Sequence, residues 1–213
     1  MWLAPALLGL LVAKAHPAGR WAAEVHLGGA WNLPLPLVVR QDGHEELWLR
    51  ARWDTRAFET PLYYAGRIVH SRGGQGWMLD LTHHKLFLTN PPGEIASFAI
   101  SHGYNLLSLY RLVERDGRRL GLGGGVVIAH PESEVRGAKQ DERAGAWGTG
   151  HHVAGPTLGA LAGWRPGPRR GLYGTAEARV TLSYAGVPVA NGRARVPNLA
   201  LHVTVGAGWE GAR

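Results

Sequence analysis

The chain has 213 residues, a length that suits a single domain, and it contains no cysteine. Disulfide frameworks, thiolate metal sites and cysteine nucleophiles are therefore excluded. The formal net charge is +7, but the basic residues stand singly along the chain and form no basic helix, so we expect no nucleic-acid partner. An anionic lipid surface is the favoured counterpart of this charge. The 31 glycines and 9 tryptophans are typical of closely packed strands with aromatic girdles.

The first residues have the pattern of an export signal. An apolar run over residues 2–12 precedes Ala13-Lys14-Ala15, which matches the small-x-small cleavage pattern. The run is too short to cross about 30 Å of hydrocarbon as a helix. We therefore expect a signal peptide at residues 1–15 and a barrel domain at residues 16–213. No later stretch has the length and apolarity of a transmembrane helix, so the chain would have to cross a membrane as strands.

Alternation of apolar and polar residues predicts β-strands along most of the chain. At residues 21–31, for example, Trp21, Val25 and Trp31 lie on one face, whereas Glu24 and His26 lie on the other. Strands are predicted near residues 20–31, 35–41, 45–56, 61–71, 75–88, 99–114, 119–130, 150–164, 171–184 and 198–209. The predicted fold is all-β, a closed antiparallel up-and-down transmembrane β-barrel of about ten strands, with eight as the alternative.

Alternation alone does not say which face of the barrel points outward. The apolar faces often end in Trp or Tyr, and the strands are long, which favours a membrane barrel with its apolar face toward lipid. Tight turns alternate with longer segments at residues 89–98, 131–148 and 185–197, as periplasmic turns and extracellular loops do. A soluble periplasmic barrel that binds an apolar ligand is one alternative to this interpretation.

Three stretches of the sequence carry a resemblance to known proteins: LTHHKL at residues 81–86 running into TNPP at 89–92, ISHGYNL at 100–106, and GVVIAHPE at 125–132. On these stretches and on its overall plan, the chain resembles a poorly characterised group of small outer-membrane β-barrel proteins of Gram-negative bacteria. The resemblance covers nearly the whole mature chain. It implies a barrel in the outer membrane of a Gram-negative bacterium, and it carries no activity across. The partners expected there are outer-membrane lipids, lipopolysaccharide and the barrel assembly machinery.

Histidines cluster toward the predicted extracellular rim. Six of the 11 histidines fall there: His83, His84, His102, His130, His151 and His152. Because imidazole binds divalent transition metals, His84, His102, His130 and His151 are candidate metal ligands. The alternative, which we favour from sequence, is that these rings only form hydrogen bonds in the barrel wall at the membrane interface. No cofactor is expected.

Ser101 and His102 support an enzyme hypothesis, a barrel that modifies the acyl chains of lipid A. Ser101 would be the nucleophile, His102 the base, and Glu94 or Glu132 the orienting carboxylate. Adjacent strand residues point to opposite faces, so Ser101 and His102 would share a hydrogen bond only at a bulge. His84 is a further catalytic candidate. Strand pairing around a loop near Gly93 joins positions whose numbers sum to about 186, which places His84 across from His102.

Charged residues on the predicted inner face form the last candidate group: Glu24, Arg50, Arg52, Asp54, Asp80, Arg111, Glu177 and Arg179. We expect them to form an ion-pair network that fills the lumen, since buried charges persist only when they satisfy one another. The functional alternative is a narrow, porin-like ion pore. The leading hypothesis is a non-enzymatic outer-membrane barrel with a structural or surface-interaction role, displaying loops 131–148 and 185–197 outside the cell.

Overall fold

The computed structural model describes residues 19–141, 143, 148–167 and 170–211, so the predicted signal peptide at residues 1–15 lies outside the described residues. Among the described residues, no helix is long and apolar enough to cross a membrane. The strands in chain order are β1 Arg20–Leu33, β2 Leu35–Gln41, β3 Leu47–Ala51, β4 Trp53–Asp54, β5 Tyr64–Arg72, β6 Gln75–His83, β7 Leu86–Leu88, β8 Ile95–Ile100, β9 Tyr104–Arg115, β10 Arg118–Ala129, β11 Glu132–Val135, β12 Ala138–Lys139, β13 His152–Trp164, β14 Gly171–Val189 and β15 Gly192–Glu210.

Eight of these strands close into an antiparallel barrel, which confirms the predicted fold with the smaller of the two strand numbers. Their order is β1-β5-β6-β9-β10-β13-β14-β15, and β1 pairs with β15 to complete the ring. The segments at residues 35–41 and 45–56, predicted as barrel strands, are β2, β3 and β4 and lie outside the ring. Here β2 turns back to pair with the first residues of β15, Gly192 to Arg195, and β1 pairs directly with β5.

The barrel exposes apolar side chains and buries polar ones, as a membrane barrel requires. On β15, Val203 and Val205 are 43% and 64% exposed, whereas Glu177 and Arg179 on β14 are 6% and 1% exposed. The soluble alternative, with an apolar lining and charged exterior, is wrong. Four exposed tryptophans lie toward the end that carries the tight turns at residues 72–75 and 115–118, and they form an aromatic girdle: Trp21, Trp77, Trp164 and Trp209.

Beyond the other end of the barrel, the long connections form what we call the extracellular layer: β2, β3, β4, β7, β8, β11, β12 and the outer parts of β14 and β15. Five of its strands form a second sheet in the order β12-β11-β8-β7-β4. Its side chains form a buried apolar cluster that includes Leu37, Val39, Leu86, Ile100 and Val187. The layer therefore has a hydrophobic core, whereas the barrel interior holds buried charged side chains beside a smaller apolar cluster that includes Met78 and Leu112.

The extracellular layer begins where two predicted strands are interrupted. The predicted strand at 75–88 divides into β6 and β7 at His84 and Lys85, and the one at 99–114 divides into β8 and β9. Leu86 pairs with Ile100, the register expected for positions that sum to about 186. Gly103, with φ of 128°, allows the chain to turn after β8.

Candidate functional site

A group of polar side chains, which we call the rim cluster, lies where barrel strands meet the extracellular layer. It consists of Ser101, His102, His130, Glu132 and His151. Ser101 and His102 follow β8, His130 lies between β10 and β11, Glu132 begins β11, and His151 precedes β13. Because Ser101 and His102 lie in the turn before Gly103 and not within a strand, their side chains reach the same neighbour.

Contacts within the rim cluster are close. The Nδ1 atom of His102 lies 2.6 Å from Oε1 of Glu132, and the hydroxyl of Ser101 donates a hydrogen bond to the same carboxylate oxygen. The rings of His102 and His130 are 5.0 Å apart, and those of His130 and His151 are 4.9 Å apart. The side chain of His102 is 61% exposed and that of Glu132 is 26% exposed. The cluster is therefore accessible to solutes.

The donor set of the rim cluster fits a divalent transition metal ion. One ligand atom from each of His102, His130 and Glu132 lies within 4.8 Å of the other two. Zinc takes imidazole nitrogens and carboxylate oxygens at about 2.0–2.2 Å, so ligand atoms up to 4.8 Å apart would have to move closer together to share one ion. The ring of His151 meets that of His130 edge-on, but His151 does not belong to the group of converging ligand atoms.

His84, the fourth predicted metal ligand, does not belong to the rim cluster. Its ring lies between Tyr63, Tyr104 and His202, at centroid distances of 6.1, 6.1 and 5.2 Å. Its Nε2 atom is 3.0 Å from Oδ1 of Asn32, and the side chain is fully buried. Burial lowers the pKa of His84 from its ordinary value of 6.5 to about 3. The structure therefore does not bring His84 together with the other candidate metal ligands and catalytic groups.

The other two rim histidines also lie apart from the cluster. His83 stacks on Tyr64 at 5.1 Å and shares a hydrogen bond of 2.8 Å with Asn105. His152 begins β13 and is half-buried. Neither side chain belongs to the group of converging ligand atoms.

The rim cluster does not form a serine hydrolase relay. In such a relay, one imidazole nitrogen contacts the serine and the other contacts the carboxylate. Here Nδ1 of His102 faces both groups, 3.1 Å from Oγ of Ser101 and 2.6 Å from Glu132. Glu94, the other proposed orienting carboxylate, instead accepts a 2.8 Å hydrogen bond from Arg136. In this geometry the serine hydroxyl donates directly to the carboxylate, and the imidazole does not link the two groups.

A second group of charges, the interior network, lies inside the barrel. Its members are Glu24, Arg67, Asp80, Arg119, Glu177 and Arg179, none more than 6% exposed. Arg67 donates to Asp80 at 2.7 Å and to both oxygens of Glu177 at 2.8 and 2.6 Å. Arg179 donates to the other oxygen of Asp80 at 2.7 Å, and Arg119 donates to Glu24 at 3.0 Å. The six formal charges sum to zero.

Four predicted members of the interior network lie elsewhere. Arg50, Arg52 and Asp54 are exposed, because β3 and β4 belong to the extracellular layer, where a polar face meets water. Arg111 points outward near the tryptophan girdle, where it donates to the carbonyl of Gly76 at 3.2 Å and lies over the ring of Trp77 at 5.1 Å. A long side chain can extend to the membrane interface in this way.

Arg67 and Arg119 are the two network members that the sequence prediction missed. The alternation along each strand could have revealed them. Arg67 is adjacent to the exposed Ile68, and Arg119 is adjacent to the exposed Leu120. A residue one step from a lipid-facing position on the same strand faces the interior.

Comparisons with known proteins show that this chain is similar in fold to solved outer-membrane proteins. No family model and no curated protein matches the chain significantly. Among solved structures, the outer membrane protein OprG from Pseudomonas aeruginosa is 12% identical, with 93% of this chain and 98% of that chain covered and a TM-score of 0.50. Ail, the attachment invasion locus protein of Yersinia pestis, is 10% identical over 91% and 97% of the two chains, with a TM-score of 0.38. Neisserial surface protein A is 12% identical over 90% and 99%, with a TM-score of 0.35.

Two independent observations now agree. The first is the closed eight-stranded ring, which is the architecture shared with OprG. The second is the apolar exterior with its tryptophan girdle, which only a lipid environment would stabilise. The chain has the fold of a small outer-membrane β-barrel such as OprG, and its apolar exterior fits it to a lipid bilayer.

Proposed function

We propose that the protein is a non-conducting barrel that anchors its extracellular layer at the cell surface, where the layer has a structural or surface-interaction role. The observation that carries this proposal is the closure of the interior network across the barrel. Arg67 on β5 binds Glu177 on β14 and Asp80 on β6, and Arg179 on β14 binds the same Asp80.

These contacts argue against an ion pathway. An eight-stranded barrel has an interior that side chains can fill. A permeating ion would have to displace guanidinium groups that are each held by carboxylates in a medium of low dielectric constant. Separating such a buried ion pair costs several kcal/mol. The extracellular layer, in contrast, is built on an apolar core, so its surface is fixed in shape and suited to contact other molecules.

Conductance across a planar lipid bilayer tests the proposal. We expect the full-length folded protein to give no discrete current steps, and a variant with Arg67→Ala, Glu177→Ala and Arg179→Ala to give leak currents. A matched control with Arg111→Ala, on the outer face, should stay silent. Heat-modifiable gel mobility establishes that each variant is folded. Regular current steps from the unaltered protein that respond to interior substitutions would refute the non-conducting barrel.

A second function is favoured by the rim cluster: we propose that it binds a divalent transition metal ion. The supporting observation is the convergence of His102, His130 and Glu132, with His151 beside them. The ion would replace the short contact between His102 and Glu132 with two coordination bonds. Such a site would crosslink the segments after β8 and β10.

Cobalt(II) absorption spectroscopy on the folded protein in detergent tests the metal site. We expect visible absorption of a tetrahedral or five-coordinate ion, quenched when zinc is added. The spectrum should be lost in His102→Ala and in Glu132→Gln and kept in His152→Ala, a rim histidine outside the cluster. If the His152 variant loses the signal equally, or if the unaltered protein shows only the spectrum of hydrated cobalt, the metal site is wrong.

A further inference from the structure

A groove lined by arginines opens on the outer face of the barrel, at its junction with the extracellular layer. The hydrogen-bond ladder between β13 and β14 ends at the pair Thr157 and Ser183. Beyond this pair the ladder stops, and a groove of about 310 Å³ is lined here by Ala154 of β13 and by Tyr184 and Gly186 of β14. Val38 and Arg40 of β2 and Arg193 and Arg195 of β15 complete its lining.

Gly186 of β14 lines the groove without a side chain. Gly186 has the outward parity of Leu182 and Tyr184, and a Cβ atom there would stand 3.0 Å from Nε of Arg193. The guanidinium of Arg193 therefore lies across the glycine, with Nη2 only 3.4 Å from its carbonyl oxygen. A side chain at position 186 would fill the groove and displace this arginine.

The positive charge in the groove is incompletely compensated. Arg193 on β15 lies directly opposite Arg40 on β2. Like charges in such cross-strand positions destabilise a sheet unless an anion lies between them. Arg40 contacts Glu46, whereas Arg193 and Arg195 have no carboxylate contact within the described part of the chain. β15 thus holds the exposed guanidinium groups of Arg193 and Arg195 next to each other, with hydrogen-bond donors available to a ligand.

The height of the groove relates it to the membrane. Residues Trp209 to Leu199 of β15 span roughly 25 Å along the membrane normal, at about 3.3 Å per residue and a tilt of about 40°, which is the height of the apolar band of such barrels. Arg195 and Arg193 precede Leu199 in the sequence and lie on the same outward face of β15, on the side away from Trp209. They therefore lie at the level of the headgroups of the outer leaflet, and Tyr184 marks the interface itself.

We propose that this groove binds the phosphate groups of a phosphorylated glycolipid of the outer leaflet, namely the lipid A part of lipopolysaccharide. Arg193 and Arg195 donate charge-assisted hydrogen bonds to the phosphate oxygens, since the guanidinium fork matches phosphate geometry. The acyl chains descend beside Tyr184 and Leu182, both exposed on the lipid-facing side. The bound lipid would connect the barrel wall to the extracellular layer through β2.

Binding to lipids of defined headgroup tests the site. The folded full-length protein is reconstituted into phosphatidylcholine nanodiscs that contain bisphosphorylated lipid A, dephosphorylated lipid A or phosphatidylglycerol, and bound lipid is quantified by native mass spectrometry. We expect bisphosphorylated lipid A to be retained about tenfold more than either other lipid, and inorganic phosphate at millimolar concentration to leave its retention unchanged.

Variants separate the groove from the general surface charge. Arg193→Gln with Arg195→Gln should reduce retention of bisphosphorylated lipid A about tenfold, and Gly186→Leu, which fills the groove without altering charge, should reduce it as well. The matched control, Arg115→Gln with Arg118→Gln at the opposite end of the barrel, should change nothing. Equal retention of dephosphorylated lipid A or phosphatidylglycerol, competition by free phosphate, or indifference to the groove variants would each overturn the proposal.

Discussion

Arg67 and Glu177 bind each other through two parallel hydrogen bonds of 2.8 and 2.6 Å, although 110 residues separate them in the sequence. Arg67 lies on β5 and Glu177 on β14, and β1 and β15 stand between these strands on the shorter path around the ring. The pair therefore joins strands that have no backbone hydrogen bond to each other. It links two parts of the wall through the interior.

Removal of one member of this pair should destabilise the barrel more than removal of both. Glu177→Ala leaves the buried guanidinium of Arg67 without two of its acceptors, and we expect a loss of about 3–5 kcal/mol in the free energy of unfolding. Arg67→Met combined with Glu177→Leu replaces the pair with apolar side chains of similar volume, so its loss should be much smaller. Equilibrium unfolding in urea, with the protein in lipid vesicles, measures both.

A surface pair provides the control for that comparison. Glu94→Ala removes the partner of Arg136 in the extracellular layer, where Glu94 is half exposed, and should cost less than about 1 kcal/mol. If the single Glu177 variant were no less stable than the double variant, the interior network would contribute no coupling, and the account of the barrel interior would be wrong.

The outward parity of β15 predicts a strong effect of charge at mid-membrane. Val203→Arg places a guanidinium on the lipid-facing side in the middle of the strand, and we expect a loss of about 2–4 kcal/mol in folding free energy. Phe58→Arg makes a similar change at a side chain that is 83% exposed in the extracellular layer, and it should have little effect. Folding yield into vesicles, followed by heat-modifiable gel mobility, compares the two variants. Equal yields would contradict the membrane position of β15.

The sequence was sufficient for the barrel, because its inside and outside differ in polarity at every second residue. The parity of Leu201, Val203 and Val205 against His202 and Thr204 is visible without coordinates. The strand number was harder to predict. Segments such as β2 and β3 alternate like barrel strands, yet their polar face meets water beyond the membrane, and alternation cannot distinguish water from a polar lumen.

The rim cluster was only partly predictable for a different reason. His102, His130 and His151 were recognised as neighbours because each stands near the end of a barrel strand on the same side of the membrane. Glu132 was assigned an orienting role but not a place in the metal site, and His84 was grouped with the wrong residues. Whether a side chain at a strand end turns inward or outward depends on the turn that follows, here on Gly103 and on the break between β6 and β7.

Close contacts between strands predict different costs for two glycines. A Cβ atom at Gly125 would stand within bonding range of the carbonyl oxygen of Leu107 on β9, whereas one at Gly174 would meet nothing within 4 Å. Gly125→Ala should therefore push β9 and β10 apart and reduce stability by about 1–3 kcal/mol. Gly174→Ala should be nearly neutral. Urea unfolding midpoints of the two variants, compared at equal dependence of the unfolding free energy on urea concentration, measure this difference. Equal midpoints would contradict the prediction and show that β10 can shift to accommodate the methyl group.

His84 predicts a pH dependence at the junction between the barrel and the extracellular layer. In the neutral ring, Nε2–H donates to Asn32, and Nδ1 is buried with no hydrogen-bond partner among the described residues. A second proton would have to reside on Nδ1. The titratable and charged groups around this ring are Tyr63, His83, Lys85, Tyr104, Arg179 and His202. Arg179, His83 and Lys85 also oppose protonation by repulsion, so the folded state holds the ring neutral with a pKa of about 3.

The sign of the pH effect follows from that shift. The unfolded chain protonates His84 near its ordinary pKa of 6.5, whereas the folded chain does so only near 3, so the contribution is complete above pH 6.5 and is lost as the pH falls toward 3. We expect the amide of Tyr104, which donates to the carbonyl of His84 at 2.7 Å, to lose hydrogen-exchange protection over this range after correction for the intrinsic rate. His84→Gln, which keeps a hydrogen-bond donor but cannot titrate, should flatten the profile. A profile that kept its slope in this variant would assign the pH dependence to His202 or another neighbour.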